Sequence, residues 1–217
     1  MILVEAAVET LESALAAERA GADRIELCVN LGEGGTTPST GLTAAVVDGT
    51  HLPVFALIRP RAGDFVYSDD EIDLMSRDVE TAGIIGVAGI VAGALTSDNN
   101  VDVEQTRALV KAAAGLPVTF HRAFDSTTNK ADSLDQLIDL GVTRVLTSGG
   151  ATTAMEGADV IAALVDQARD RIAIIAGGGI REHNVRDLIA RTGVREVHTR
   201  FVGEARMRNL IDVVRTK

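Results

Sequence analysis

The chain has 217 residues, 46% of them hydrophobic and 24% charged, with a formal net charge of −10. Those proportions exclude disorder, collagen and coiled coil, and they suit one domain with a sizeable core. The negative balance repels a phosphate backbone, and aromatic residues at 3% offer little for base stacking, so no nucleic-acid partner is expected.

The N-terminus, Met1-Ile2-Leu3-Val4, is apolar but meets Glu5 at once and has no basic segment before it, unlike a signal peptide. No apolar run reaches the length of a membrane span. The one cysteine, Cys28, permits no intramolecular disulfide, which suits a reducing compartment. A cytoplasmic protein with no membrane partner is expected.

Taken in chain order, the pattern repeats. An apolar run at 2–6 is followed by a helical stretch at 10–20, whose Leu11, Ala14, Leu15 and Ala17 share one side and which stops at Gly21. Run 24–28 leads into a long polar stretch at 30–42. Run 53–58 leads into a second, at 60–68, and then a helix at 69–81 with Ser68 as its cap. Run 89–93 precedes a helix at 102–114, and run 117–121 precedes one at 133–140. Runs 144–147 and 172–176 precede helices at 158–168 and 182–192, and run 196–199 comes last. Starts lie roughly 22 to 36 residues apart, the span of a βα unit.

Three helices end in glycine and pass straight into a strand: Ala-Gly-Ala-Asp-Arg, Leu-Gly-Val-Thr-Arg and Thr-Gly-Val-Arg-Glu. Eight alternations, with no GxGxxG after the first run and no interdomain linker, favour a closed α/β barrel of the TIM type, (β/α)8, over a doubly wound sheet. The chain reads as one domain over 1–217. With Trp absent and aromatics few, the barrel interior is expected to be filled by layers of Val, Ile, Leu and Ala.

In such a barrel the active face is at the C-terminal ends of the strands. Those ends are polar here. Glu5 is expected to end the first strand, and Glu26 and Cys28 to share a face of the second. Arg59 and Arg61 end the third, followed by Asp64; His121, Arg122 and Asp125 end the fifth, and His198 the eighth, with Arg200 beyond. Glu5, Glu26, His121, Asp125 and His198 are therefore the candidate acid–base groups. Glu5 and Glu26 alternatively form a salt-bridge layer with Arg59 or Arg122. Gly177-Gly178-Gly179, ahead of a helix near Arg181, and Ser148-Gly149-Gly150 offer backbone N–H groups to an anion, with Arg59, Arg122 and Asp64 as further ligand contacts. The expected partner is a small anionic, phosphorylated molecule. The structural alternative is that these glycines only make tight turns. His51 and His183 read as surface residues. A Cu(I) cage needs thiolates or thioethers, and Met75, Met155 and Met207 fall away from the strand ends. A lone cysteine is most simply a small core residue.

Several segments together resemble the copper homeostasis protein CutC family. They are Ala20-Gly-Ala-Asp-Arg-Ile-Glu-Leu-Cys28, Glu33-Gly-Gly-Thr-Thr-Pro-Ser39, Ile58-Arg-Pro-Arg-Ala-Gly-Asp-Phe-Val-Tyr-Ser68, Thr119-Phe-His-Arg-Ala-Phe-Asp125, Arg144-Val-Leu-Thr-Ser-Gly149 and Glu196-Val-His198. They fall in the family's order and span most of the chain. The resemblance implies a TIM-like barrel, a cytoplasmic homodimer and a link to copper handling, with copper as a ligand of Cys28; it supplies no reaction. It has two departures. The family carries cysteine just after the first-strand glutamate, where this chain has Ala6 and Ala7. After His198 it favours small residues, where this chain has Thr199-Arg200-Phe201.

Overall fold

The computed structural model describes residues 2–216. Eight parallel strands close on themselves in sequence order: β1 (Leu3–Val8), β2 (Arg24–Leu27), β3 (Val54–Leu57), β4 (Gly89–Ala92), β5 (Val118–Phe120), β6 (Arg144–Thr147), β7 (Ala173–Gly177) and β8 (Glu196–Arg200). Each is followed by a helix: α1 (Leu11–Ala20), α2 (Thr40–Gly49), α3 (Asp69–Ile85), α4 (Val103–Ala112), α5 (Lys130–Asp139), α6 (Ala158–Ala168), α7 (Val185–Thr192) and α8 (Glu204–Arg215). The eight strands lie where the apolar runs placed them. Among the described residues no helix is long and apolar enough to cross a membrane.

The helices start where local chemistry starts them. Thr10 and Ser68 close capping boxes with Ser13 and Glu71, while Asp102 and Asn129 accept from the first free N–H groups of α4 and α5. Each such cap stabilises its helix by about 1 kcal/mol. Gly21 and Gly193 end α1 and α7 in the left-handed region, at φ 94° and 71°, as the repeated Gly-before-strand motif required.

Two helices were hidden from the periodicity. The stretch 30–42 is polar, but its end already belongs to α2, capped by Ser39. The segment after Phe201 forms another helix, in which Met207, Leu210 and Ile211 bury one side of α8 against the barrel. α7 begins at Val185, so the glycine run 177–179 is separated from it by a turn rather than opening it.

The main apolar core lies between strands and helices, not inside the barrel. It is built from residues such as Val4, Ile25, Ile90, Val145, Ile174 and Val197 on the outward faces of the strands. The barrel interior differs from the expected aliphatic layers. A small apolar cluster of Cys28, Phe55, Leu57 and Val91 shares it with buried charge. Register explains the charge: Glu5 lies level with Arg24 on β2 and with His198 on β8. Glycines at the start of β4 and just past its end make room for the larger side chains. A Cβ at Gly89 would lie 2.1 Å from the Phe55 ring, and one at Gly93 would lie 2.8 Å from His121.

Candidate functional site

The barrel interior carries charge at two levels. At the floor, Arg24 donates from Nε to Glu5 Oε2 and from Nη2 to Glu196 Oε2, both at 2.5 Å. Its guanidinium lies 5.1 Å from the Phe55 ring centre, and that of Arg144 lies 4.0 Å from the same ring. Arg144 also donates from Nε to Thr119 Oγ1, leaving Nη2 unpartnered. Burial and the nearby Arg24 charge bring Arg144 down to about 10.

Above this floor Glu5 turns its other oxygen upward. Its Oε1 accepts from His198 Nδ1 at 2.8 Å, and the same nitrogen is 3.8 Å from Glu26 Oε2. Burial alone would raise the Glu5 carboxyl, but the hydrogen bonds and charges of His198 and Arg24 outweigh it and hold the group at about 2. Glu26 fares differently. Burial pushes it up, the His198 charge opposes this, the Glu5 charge adds to it, and the carboxyl settles at about 7. Its Oε2 is buried without a hydrogen-bond partner. Burial would lower His198, but the Glu26 charge and the bond to Glu5 raise it above the ordinary histidine value. Two carboxylates on adjacent strands are thus separated in proton affinity by their surroundings, and the His198 ring, bonded to Glu5, stands beside the raised Glu26.

Over this pair opens a cavity of about 440 Å³, at the C-terminal ends of the strands. Glu26, His198 and His121 line it together with Leu57, Phe65 and Leu146. The backbone N–H of Ala123 donates to His121 Nδ1 at 3.2 Å, which puts the ring proton on Nε2. That nitrogen is buried and has no partner. Burial and the Arg59 charge lower His121 to about 3, so the imidazole is neutral. The ring is tilted against Phe65, 4.9 Å between centres. A larger depression, about 770 Å³, lies on the opposite face among Asp166, Arg169, Asp170, Arg171 and Arg195. Two of its arginines pair with aspartates, Arg171 with Asp135 and Arg195 with Asp170. The buried acid–base groups lie in the smaller cavity, which is the candidate site.

The model of the CutC family matches residues 2–203. The copper homeostasis protein cutC homolog of Homo sapiens is 47% identical over 196 residues, covering 90% of this chain and 72% of that protein. This chain belongs to the CutC family. A family protein CutC from Pasteurella multocida is also 47% identical, over 90% of this chain and 80% of its own length. The crystal structure of CutC from Streptococcus agalactiae superposes with a TM-score of 0.88 at 39% identity, over 91% of this chain and 98% of that one. Phosphoribosyl anthranilate isomerase from Thermococcus kodakaraensis, at 16% identity and a TM-score of 0.68 over the full length of both chains, shares the fold.

The family name implies copper, and Cys28 was the residue to hold it. In this CutC chain Cys28 is fully buried against Phe55, Leu57 and Val91, with Sγ 3.7 Å from the Val8 carbonyl. Burial and the Glu26 and Glu9 charges push its thiol well above the ordinary cysteine value. A Cu(I) ion needs thiolates or thioethers. This thiol is protonated, and Ala6 and Ala7 stand where a second sulfur would be. The residues do not fit Cu(I). The one cluster of metal-ligating types among the described residues is Glu5, Glu26 and His198, whose ligand atoms lie within 4.8 Å of one another. That donor set is oxygen and nitrogen, suited to a harder divalent ion.

Of the other residues read as functional, several turn out to hold the structure. Glu5 is not at a strand end but mid-strand, and its partners are Arg24 and His198 rather than Arg59 or Arg122. Arg59, 4% exposed, donates from Nη1 to the Glu33 and Gly35 carbonyls and from Nη2 to Gly63, clamping the loops after β2 and β3, and it also lines the cavity, with Nε unpartnered. Asp64 is exposed and pairs with Arg61, outside the cavity. The Ser148–Gly150 turn does cradle an anion, but the anion is Asp125. Its carboxylate accepts from Thr147 Oγ1, from Ser148 N and Oγ, from Gly150 N and from Arg122 Nε. Gly149 packs on Gly157, and Gly177 makes room for Leu146, so neither faces the cavity. Gly178 and Arg122 do face it. His51 and His183 are exposed.

Sequence reading missed Arg24, Glu196, Phe65 and the cavity-lining role of Arg181. Arg24 had a signal, since it stands two residues before Glu26 and alternation puts both on one face. Arg181 had one too, two residues after the run of three glycines.

Proposed function

We propose that this chain serves copper homeostasis, the role named for its human relative, and that its chemistry is acid–base catalysis on a small molecule held in the barrel mouth. The single observation that carries the chemistry is Glu26, buried with an unpartnered oxygen 3.8 Å from His198 under an open cavity. Glu26 acts as general base, taking a proton from the bound molecule, and His198 stabilises the charge Glu26 exchanges. Neutral His121 donates from Nε2 to oxygen that gains negative charge. Glu5, fixed by Arg24, holds the His198 ring by its Nδ1–H.

Copper tolerance in a host lacking its own CutC tests the reading. Wild type and Cys28→Ser should both restore tolerance, and Glu26→Gln should not. Restoration by Glu26→Gln would remove the acid–base reading.

A second reading has copper bound weakly at Cys28. It is supported by the family's name alone, since Cys28 is buried outside the cavity lining. It requires that Cys28→Ser fail in that assay and weaken Cu(I) uptake in competition with a chromophoric chelator. The resemblance also supports a cytoplasmic homodimer; light scattering at micromolar concentration should give twice the 22.7 kDa of the chain.

A further inference from the structure

Two glycine turns stand side by side at the ends of β6 and β7, and they differ in what fills them. The first, Ser148–Gly150, is closed by the Asp125 carboxylate with Arg122 beside it. It shows what this part of the barrel end is built to bind. The second turn runs through Gly178, Gly179 and Ile180, all of which line the cavity. Gly178 and Gly179 both take positive φ, 108° and 71°, a backbone that residues with a Cβ rarely adopt. Among the described residues no side chain or carbonyl accepts from the N–H of Gly178, Gly179 or Ile180, whereas the next one, that of Arg181, is taken by Asn184 Oδ1.

Cationic side chains flank the second turn. The position a Gly178 Cβ would occupy is 3.7 Å from Arg122 Cζ, so the Arg122 guanidinium sits against the turn. Arg122 spends Nε on Asp125 and Nη2 on Ser148 Oγ, which leaves Nη1 for a ligand. Arg181 lines the same cavity, held by the Ile180 carbonyl and Thr199 Oγ1. His121, 6% exposed, presents its unpartnered Nε2–H to the same space.

We propose that the Gly178–Ile180 turn, with Arg122 and Arg181, is an oxyanion subsite that holds the phosphate of a phosphomonoester substrate. The inference rests on the barrel mouth being the substrate site. The Glu26 end would then face the part of the molecule that exchanges a proton, with Leu57 and Leu146 as the apolar wall between. A phosphate dianion would satisfy the three N–H groups and two guanidinium groups together, where in the neighbouring turn the Asp125 carboxylate takes two backbone N–H groups, two hydroxyls and Arg122.

The test is calorimetric titration of the full chain with inorganic phosphate and, separately, with glycerol 3-phosphate, against sodium chloride at matched ionic strength. Saturable binding of either phosphate, at least ten-fold weaker in both Arg181→Gln and Arg122→Gln, is expected. Glycerol 3-phosphate binding tighter than inorganic phosphate identifies an ester ligand; the reverse order identifies free phosphate as the ligand and overturns the ester assignment. No saturation by 10 mM of either probe, or binding unchanged in both variants, overturns the subsite. Circular dichroism melts of each variant separate loss of binding from loss of fold, and Arg181→Lys should recover part of the affinity. Glu26→Gln should bind phosphate as wild type does. If it does so while also restoring copper tolerance, the subsite stands and the acid–base reading falls.

Discussion

The floor and the mouth of this barrel are built from the same kinds of residue and do different work. At the floor, Glu5, Arg24 and Glu196 form one continuous set of ion pairs, and Arg144 lies over Phe55. At the mouth, a few residues further along the same strands, Glu26 Oε2 and His121 Nε2 are equally buried and, like Arg144 Nη2 at the floor, have no partner, but these two belong to side chains that line the open cavity. A buried polar atom without a partner costs about 1–3 kcal/mol. Natural structures retain that cost where a ligand or reaction uses the atom. The difference teaches that burial of charge alone does not mark a site; unspent hydrogen-bonding capacity beside an open cavity does.

The comparison can be broken by mutation, most forcefully at the floor. Arg24→Met should destabilise the fold by about 3–5 kcal/mol in urea, because it removes the cation shared by Glu5 and Glu196 and leaves His198 as the remaining partner of buried Glu5. A loss below 1 kcal/mol would show that the floor is not a structural ion-pair layer. Next in size is Gly89→Ala. The new methyl would overlap the Phe55 ring that both floor arginines face, with an expected cost of about 1–3 kcal/mol from overpacking.

At the mouth the sign changes. Glu26→Gln removes no hydrogen bond from Oε2, so stability at pH 7 should change by less than about 1 kcal/mol or rise. Its signature is in pH dependence. Glu5, lowered from 4.5 to about 2 on folding, contributes stability that is present above pH 4.5 and lost as pH falls toward 2. Glu26, raised from 4.5 to about 7, contributes stability present below pH 4.5 and lost as pH rises toward 7. Urea midpoints of wild type against Glu26→Gln between pH 4.5 and 7 should show a fall in wild type that is flatter in the variant. Parallel curves would return Glu26 to an ordinary carboxylate. The smallest effect concerns Cys28. Its buried, protonated thiol should react with a disulfide reagent in native protein far more slowly than in urea, and rapid native labelling would reopen the copper site.

Much of the fold was legible because its signals are local. Thr10, Ser68 and Asp102 cap helices whatever surrounds them, and Gly21 and Gly193 end them. α2 and α8 escaped because α2 has few buried residues and α8 follows a polar strand end. The residues of the site were legible as types: Glu26, His121, His198, Arg122 and Gly178 all reach the mouth. Their duties were not. Nothing in the spacing of Asp125 and Ser148 says that one fills the turn of the other, since that contact joins residues 23 positions apart.

Sequence by itself determined that eight βα units close into one barrel, because apolar periodicity, caps and glycine stops act within a few residues of where they are written. It also determined the CutC family and denied Cys28 a second sulfur beside Glu5. Tertiary structure alone decided which charges are spent and which are free. Register set Glu5 level with both Arg24 and His198, whose hydrogen bonds and charges lower Glu5 while burial without a hydrogen bond leaves Glu26 raised. Such energies depend on distance and dielectric between strands far apart in the chain, which no local pattern encodes.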